Sequence, residues 1–430
     1  MKPDTSFKRT VLLFVITAVI ISCSQDAIFY LISQETAPTI PRIKGSPTKM
    51  VIFEREYTNL ADPLNPILVP IMYVASGNSL YWYAQPVGGG DPGWDLSEHQ
   101  IDQPIKPGDG ERIIDLAATK NFLYALVMRD SSSMSFTLKR IGKTDSAWVI
   151  IGLNADYQNM QTIFADSGES VLFAGSRARS NSYAILFLDD SLPDPDQGLS
   201  QLNIILSVDD EPMSVRMLNG LAFSNDKFYL STTGSGIFEV DISAAVAKQL
   251  VINDGHDGNN RMFSGIISLS PTSVIAVERF GMIYVLDENG FSTIKDTGDY
   301  DMTLGTRSSG ALAVWKGENN AEMEKQLLLA GIESATYVYG YVEFDLMDDG
   351  PLDPMGGRRE PGNPGINGVS SVDNNARYAG SLGKLPVKHL LQVPFEIDPD
   401  MTLFASTQNS GLWSYRERRN ESAHWNAEEE

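Results

Sequence analysis

Cysteine is all but missing from this chain: Cys23 is the single one among 430 residues. That excludes an intrachain disulfide, a four-cysteine zinc site and a Cys-x-x-Cys redox pair. Histidine is nearly as scarce. His99, His256, His389 and His424 are scattered, and no His-Glu-x-x-His pattern gathers two on one helical face. Cations are few, with 33 Lys and Arg against 55 Asp and Glu and a formal charge of −22. A chain without clustered cations cannot neutralise phosphates, so nucleic acid is not an expected partner. There is no Walker A loop, no Gly-x-Gly-x-x-Gly after a strand and no Gly-x-Ser-x-Gly elbow. Sustained helical periodicity is missing too, and 319–326, rich in Ala, Glu, Met and Lys, is the one segment that predicts a helix.

What is present is a recurring strand pattern. Apolar runs occur at 80–84 (LYWYA), 123–127 (LYALV), 171–174 (VLFA), 228–231 (FYLS), 274–277 (VIAV), 327–330 (LLLA) and 403–406 (LFAS). Most are followed about ten residues on by a second strand that often begins at glycine. The best-matched pair is 228–238 (FYLSTTGSGIF) with 403–413 (LFASTQNSGLW). A strand, a glycine turn and a return strand make an antiparallel hairpin with an apolar face. One hairpin cannot bury that face alone, so the units must stack or close into a ring. The interval, mostly 43 to 56 residues, suits a four-stranded propeller blade. The expected fold is therefore all-β, a β-propeller of seven blades with six or eight as alternatives. A pair of irregular β-sandwiches gives similar turn spacing and is the competing architecture.

These units resemble the repeats of two-component-regulator propellers, and 283–290 (IYVLDENG) resembles one repeat of the quinoprotein-type propeller in the outer-membrane barrel-assembly lipoprotein. The tryptophan those repeats carry after the glycine is missing here. The repeat pattern covers most of the chain, and unrelated propellers share it through sheet physics alone.

At the N-terminus, Lys2, Lys8 and Arg9 precede an apolar run at 11–21, too short to span a bilayer as a helix. Ile20-Ile21-Ser22-Cys23 follows and resembles the lipobox of bacterial lipoproteins. The resemblance implies cleavage after Ser22, diacylglycerol on the Cys23 sulfur and acylation of the new amino group. It places the protein on the extracytoplasmic side of a bacterial membrane, periplasmic or at the outer membrane, with acyl chains as its membrane contact. The competing reading is an uncleaved anchor continuing to residue 32, which would set Gln25 and Asp26 near mid-membrane at high cost. The expected organisation is a signal peptide at 1–22, a lipidated N-terminus and tether at 23–48, and a propeller at 49–425. Loop insertions at 85–110 and 346–385 and a polar tail at 426–430 complete it.

Chemistry is thinly signalled. Ser224 with Lys227 and Ser381 with Lys384 fit Ser-x-x-Lys, a pattern that chance also supplies. Asp189, Asp190, Asp194 and Asp196 form one acidic turn; Asp254 and Asp257 form another. Either offers oxygen ligands to Ca²⁺, though neither has a complete EF-hand loop. No other cofactor is expected. Trp82 and Trp413 read as blade core, whereas Trp94 in a glycine-rich loop reads as a contact residue. The functional expectation is a lipid-anchored propeller that binds an envelope protein as an assembly scaffold. A glycan hydrolase with carboxylates in the propeller mouth and a small-ligand or calcium binder are the alternatives.

Overall fold

The computed structural model describes residues 43, 46–57, 64–77, 79–84, 111–129, 135–151, 160–177, 183–191, 202–208, 211–212, 217–244, 246–250, 262–279, 283–287, 290–293, 308–318, 324–332, 341–346, 382, 385–393, 402–416 and 424–427. Every regular element among them is a β-strand. The strands fall into seven antiparallel meanders in chain order.

The first meander is β1 (Lys49–Tyr57), β2 (Ile67–Ser76) and β3 (Ser79–Ala84). The second is β4 (Glu111–Ala118), β5 (Phe122–Arg129), β6 (Ser135–Gly142) and β7 (Val149–Ile151). The third is β8 (Met160–Ala165), β9 (Val171–Arg177), β10 (Tyr183–Asp189) and β11 (Leu202–Val208), with β12 (Glu211–Pro212) paired to β11. The fourth is β13 (Leu218–Ser224), β14 (Lys227–Thr232), β15 (Gly236–Asp241) and β16 (Val246–Gln249). A parallel pairing of β11 with β16 joins the third and fourth into one nine-stranded sheet. The fifth is β17 (Phe263–Ser270), β18 (Ser273–Glu278), β19 (Ile283–Asp287) and β20 (Gly290–Thr293). The sixth is β21 (Ser308–Glu318), β22 (Glu324–Ile332) and β23 (Tyr341–Leu346). The seventh is β24 (Val387–Val393), β25 (Thr402–Thr407), β26 (Leu412–Arg416) and β27 (His424–Ala427).

Apolar runs form the middle strands because both faces of each meander are covered, so period-2 alternation is replaced by continuous hydrophobicity. On β5, Leu123, Ala125 and Val127 pack with Phe53, Val69 and Ile71 of the first meander. The intervening Tyr124 and Leu126 pack with Ile163, Leu172 and Ala174 of the third. The same sharing repeats between each later pair of neighbours, through Phe173 and Phe228, Tyr229 and Ala276, Val277 and Leu328, and Ala313 and Leu390. A further cluster joins the seventh meander to the first: Val393, Phe404 and Leu412 pack with Met50, Met72 and Val74. The leading strands follow the same order. β1 lies against β4, then β4 against β8, β8 against β13, β13 against β17, β17 against β21, β21 against β24, and β24 against β1.

Each of the seven apolar runs falls in its own meander, six of them on the second strand. The exception, 80–84, is the third strand of the first meander. The helix expected at 319–326 is corrected where it is described. Glu324, Lys325 and Gln326 begin β22 and pair with Glu318, Gly317 and Lys316, so strand pairing overrides local helix propensity. The insertion expected at 85–110 lies outside the described residues. Of the one at 346–385, Leu346 ends β23 and Leu382 is a core residue. Strand β27 continues to Ala427, past the expected start of the tail. Ile43, within the stretch read as tether, is fully buried against the first and seventh meanders.

Candidate functional site

The leading strands meet around the axis of this arrangement, and six of the seven carry a β-bulge near their N-terminal end. The extra residue is Ile114 on β4, Gln161 on β8, Asn219 on β13, Ser264 on β17 and Lys388 on β24, while β21 shifts register between Ser308 and Leu312. A bulge re-aims side chains and bends its strand, a device common beside functional sites. Three bulges carry Asn219-Gly220, Ser264-Gly265 and Ser309-Gly310, spaced 45 residues apart. Those glycines permit close approach between neighbours. A Cβ on Gly265 would lie 2.8 Å from the Gly310 carbonyl oxygen, and one on Gly310 would overlap the Ser264 carbonyl. Polar bulge residues tie the strands together: Asn219 donates to the Phe263 carbonyl, and Ser264 donates to the Val277 carbonyl at 3.0 Å.

The opposite side of the axis is charged. Lys49 at the start of β1 pairs with Asp115 Oδ1 on β4 at 3.1 Å and donates to the Ile163 carbonyl on β8 at 2.8 Å. Its ammonium also lies 4.2 Å from the centre of the Phe164 ring. Asp115 accepts from Leu116 N–H through Oδ1 and from Ile163 N–H through Oδ2, both at 2.9 Å. One cation from the first meander is thus locked onto the second and third. His389 on β24 approaches from the other flank. Burial, and secondarily the Lys49 charge, push its pKa down to about 3, so the imidazole is neutral at ordinary pH.

A second polar cluster lies where the second and third meanders meet. Asp190, next after β10, accepts from Thr119 Oγ1 at 2.5 Å, Tyr124 Oη at 2.9 Å and Asn121 Nδ2 at 2.9 Å. Burial raises the Asp190 carboxyl above the ordinary range, against the pull of those donors. Burial also raises the Tyr124 hydroxyl, with the Asp190 charge adding to it.

The acidic turn proposed for Ca²⁺ therefore has Asp190 turned inward to protein donors, while Asp189 Oδ1 accepts from Ser191 N–H at 2.9 Å. Asp194, Asp196, Asp254, Asp257, Cys23 and Trp94 lie outside the described residues. Among the described residues, no three His, Cys, Asp or Glu side chains gather as metal ligands. Ser224 donates to the Pro271 carbonyl at 2.9 Å and Lys227 pairs with Glu239 at 2.8 Å, so this Ser-x-x-Lys is not a nucleophile with its base. Trp413 is core, as expected, and Trp82 packs against core. Sequence reasoning passed over Lys49, Asp115, His389 and the bulge ring; the 45-residue spacing of Asn-Gly and Ser-Gly pairs was the available signal.

No family profile matches the chain, and no curated protein sequence matches it. Solved structures do. An ancestral GH74 enzyme aligns over 91% of this chain and 47% of its own, with a TM-score of 0.51 and 12% identity. The chain thus spans about half the length of that enzyme. YCF48 bound to D1 peptide aligns over 89% of this chain and 96% of its own, with a TM-score of 0.47 and 9% identity. A chain of the COPII coat assembled on membranes aligns over 89% and 49%, with a TM-score of 0.47 and 11% identity. These neighbours are propeller-type proteins. At such identities the likeness concerns fold alone: the protein is all-β, of propeller-type repeats.

Proposed function

We propose that the chain is a lipid-anchored, extracytoplasmic seven-bladed propeller that presents a rigid surface for binding and assembly at the bacterial envelope. One observation carries the scaffold reading: the ion pair described at the axis, Lys49 with Asp115, is spent on holding neighbouring meanders together. Lys49 and Asp115 are bonded to each other and to backbone groups of β4 and β8. A catalytic carboxylate must be available to substrate, whereas Asp115 has both oxygens engaged by protein. Seven meanders in cyclic contact supply the rigid surface, and Cys23 supplies the anchor. Removal of 1–22 takes away three cations and one carboxylate, leaving about −24 on the mature chain. Such a body is repelled by anionic lipid and is held by acyl chains, each buried CH₂ contributing about 0.8 kcal/mol. The partner is an envelope protein.

Detergent-phase partitioning tests the anchor. The native chain expressed in a bacterium enters the detergent phase and Cys23→Ala stays aqueous; retention of Cys23→Ala in detergent would mean a transmembrane anchor instead.

The second reading is a glycan hydrolase, favoured by the fold likeness to a GH74 enzyme over 91% of this chain. Incubation of the mature protein with soluble polysaccharides releases no reducing ends on the scaffold reading. Sustained release, lost in a carboxylate-to-amide variant at the axial mouth, would establish the hydrolase.

A further inference from the structure

The seam between the seventh and first meanders is the one place where ring neighbours are not successive in the chain. Two buried polar atoms there have no hydrogen-bond partner, Nδ1 of His389 and Oγ of Ser406. They are not independent. His389 on β24 and Ser406 on β25 stand directly opposite each other in the register, which places their side chains on one face with Cβ atoms about 5 Å apart. That face is the one turned to the first meander, since Leu391, Val393 and Phe404 on it pack with Met50, Met72 and Val74.

The fourth meander shows how the same position is satisfied elsewhere. Ser231 on β14 occupies the equivalent place, opposite Gly220 and beside a bulged Asn219. Its hydroxyl donates to Asn219 Oδ1 at 2.7 Å. In the seventh meander the bulged residue is Lys388. An ammonium has three donors and no acceptor, so it cannot take the serine proton. The residue opposite is an imidazole where the fourth meander has glycine. Ser406 has thus lost its acceptor, and a second polar group has been added beside it.

Two buried polar groups facing one another, both unsatisfied by protein, are the ordinary signature of a bound water. Each orphan would otherwise cost the desolvation of its polar atom, and a buried water needs two or more polar partners to be retained. We propose that His389 and Ser406 form a binding site for a single ordered water molecule, which bridges Nδ1 to Oγ and completes the closing seam of the ring. The neutral imidazole suits the role, because Nδ1 then serves as acceptor or donor according to tautomer. The hydroxyl rotates to complement it.

A high-resolution crystal structure of the mature chain tests the site. A water within hydrogen-bond distance of both His389 Nδ1 and Ser406 Oγ is expected. A dry seam, or a direct bond between the two side chains, would overturn the proposal. Thermal unfolding supplies a second readout by its sign. Ser406→Ala strands the water and the imidazole, so Tm falls by about 1–2 °C. The double variant His389→Leu with Ser406→Ala removes both polar groups and recovers most of that fall. If Ser406→Ala leaves Tm unchanged or raises it, the hydroxyl was a dry orphan and the water site does not exist.

Discussion

At the scale of single residues, His389 links the axial chemistry to pH. Its folded pKa of about 3 lies below the usual 6.5 of a free imidazole, chiefly through burial. The unfolded chain therefore binds a proton that the folded chain refuses between those two values. Stability is complete above pH 6.5 and is lost as pH falls toward 3, by up to about 1.4 kcal/mol per pH unit. Urea denaturation at pH 7.0 and 5.0 checks this. The native chain loses midpoint on acidification, and the difference between the two pH values shrinks in His389→Leu. An unchanged difference in the variant would assign the acid sensitivity to other groups. Asp190 has the opposite sign: its carboxyl is raised by burial, so it favours the folded state at low pH and that contribution is lost as pH rises through the carboxylate range. Of these two buried groups, His389 in the seam contributes acid lability and Asp190 does not.

At the scale of elements, the bulged leading strands set how closely the meanders approach. Gly310 has φ +82° and a Cβ there would overlap the Ser264 carbonyl. Gly77 in the β2–β3 turn has φ +58° and open space around it. Gly77→Ala pays only for backbone conformation, about 1–2 kcal/mol. Gly310→Ala adds a steric clash with neighbouring backbone, for a loss on the order of 3 kcal/mol or more. Comparative denaturation of the two variants measures the difference, and equal losses would mean that the leading strands are not in close contact. These elements also show what was legible. The middle strands, such as 123–127 and 274–277, stood out because burial on both faces makes them continuously apolar. The positions equivalent in the fourth and seventh meanders stood out as well. Thr232 and Thr407 each donate to a glycine carbonyl, of Gly236 and Gly411, at 2.8 Å. The bulges did not stand out, because one inserted residue such as Asn219 only shifts the phase of an alternation that is already short. Residues 324–326 misled because Glu, Lys and Gln favour helix until a partner strand is available. The axial site was invisible for a related reason: Lys49, Asp115 and His389 are brought together by ring order and share no local motif.

At the scale of the molecule, everything depends on the first and last meanders meeting. The chain supplies no covalent link there. Closure rests on the apolar contact of Met50, Met72, Val74 and the buried Ile43 with Val393, Phe404 and Leu412. It rests also on Ser46, whose hydroxyl donates to Asn409 Oδ1 at 3.1 Å and accepts from Asn409 N–H at 2.9 Å, across 363 positions of sequence. Such a contact leaves no trace in composition or local pattern, which is why repeat spacing alone left the number of blades open. Ile43 is seated in this seam, fully buried between the first and seventh meanders.

The most direct measurement of ring closure uses the chain's scarcity of cysteine. In a Cys23→Ala background, Ser46→Cys and Asn409→Cys provide two thiols and no others. A closed ring predicts an intramolecular disulfide under mild oxidation of the folded protein, seen as a faster-migrating band on non-reducing gels. It also predicts a raised unfolding midpoint, since the bridge closes a loop of some 360 residues. Thiols that stay free, or pair only between molecules, would contradict it and leave the seven meanders as an open array.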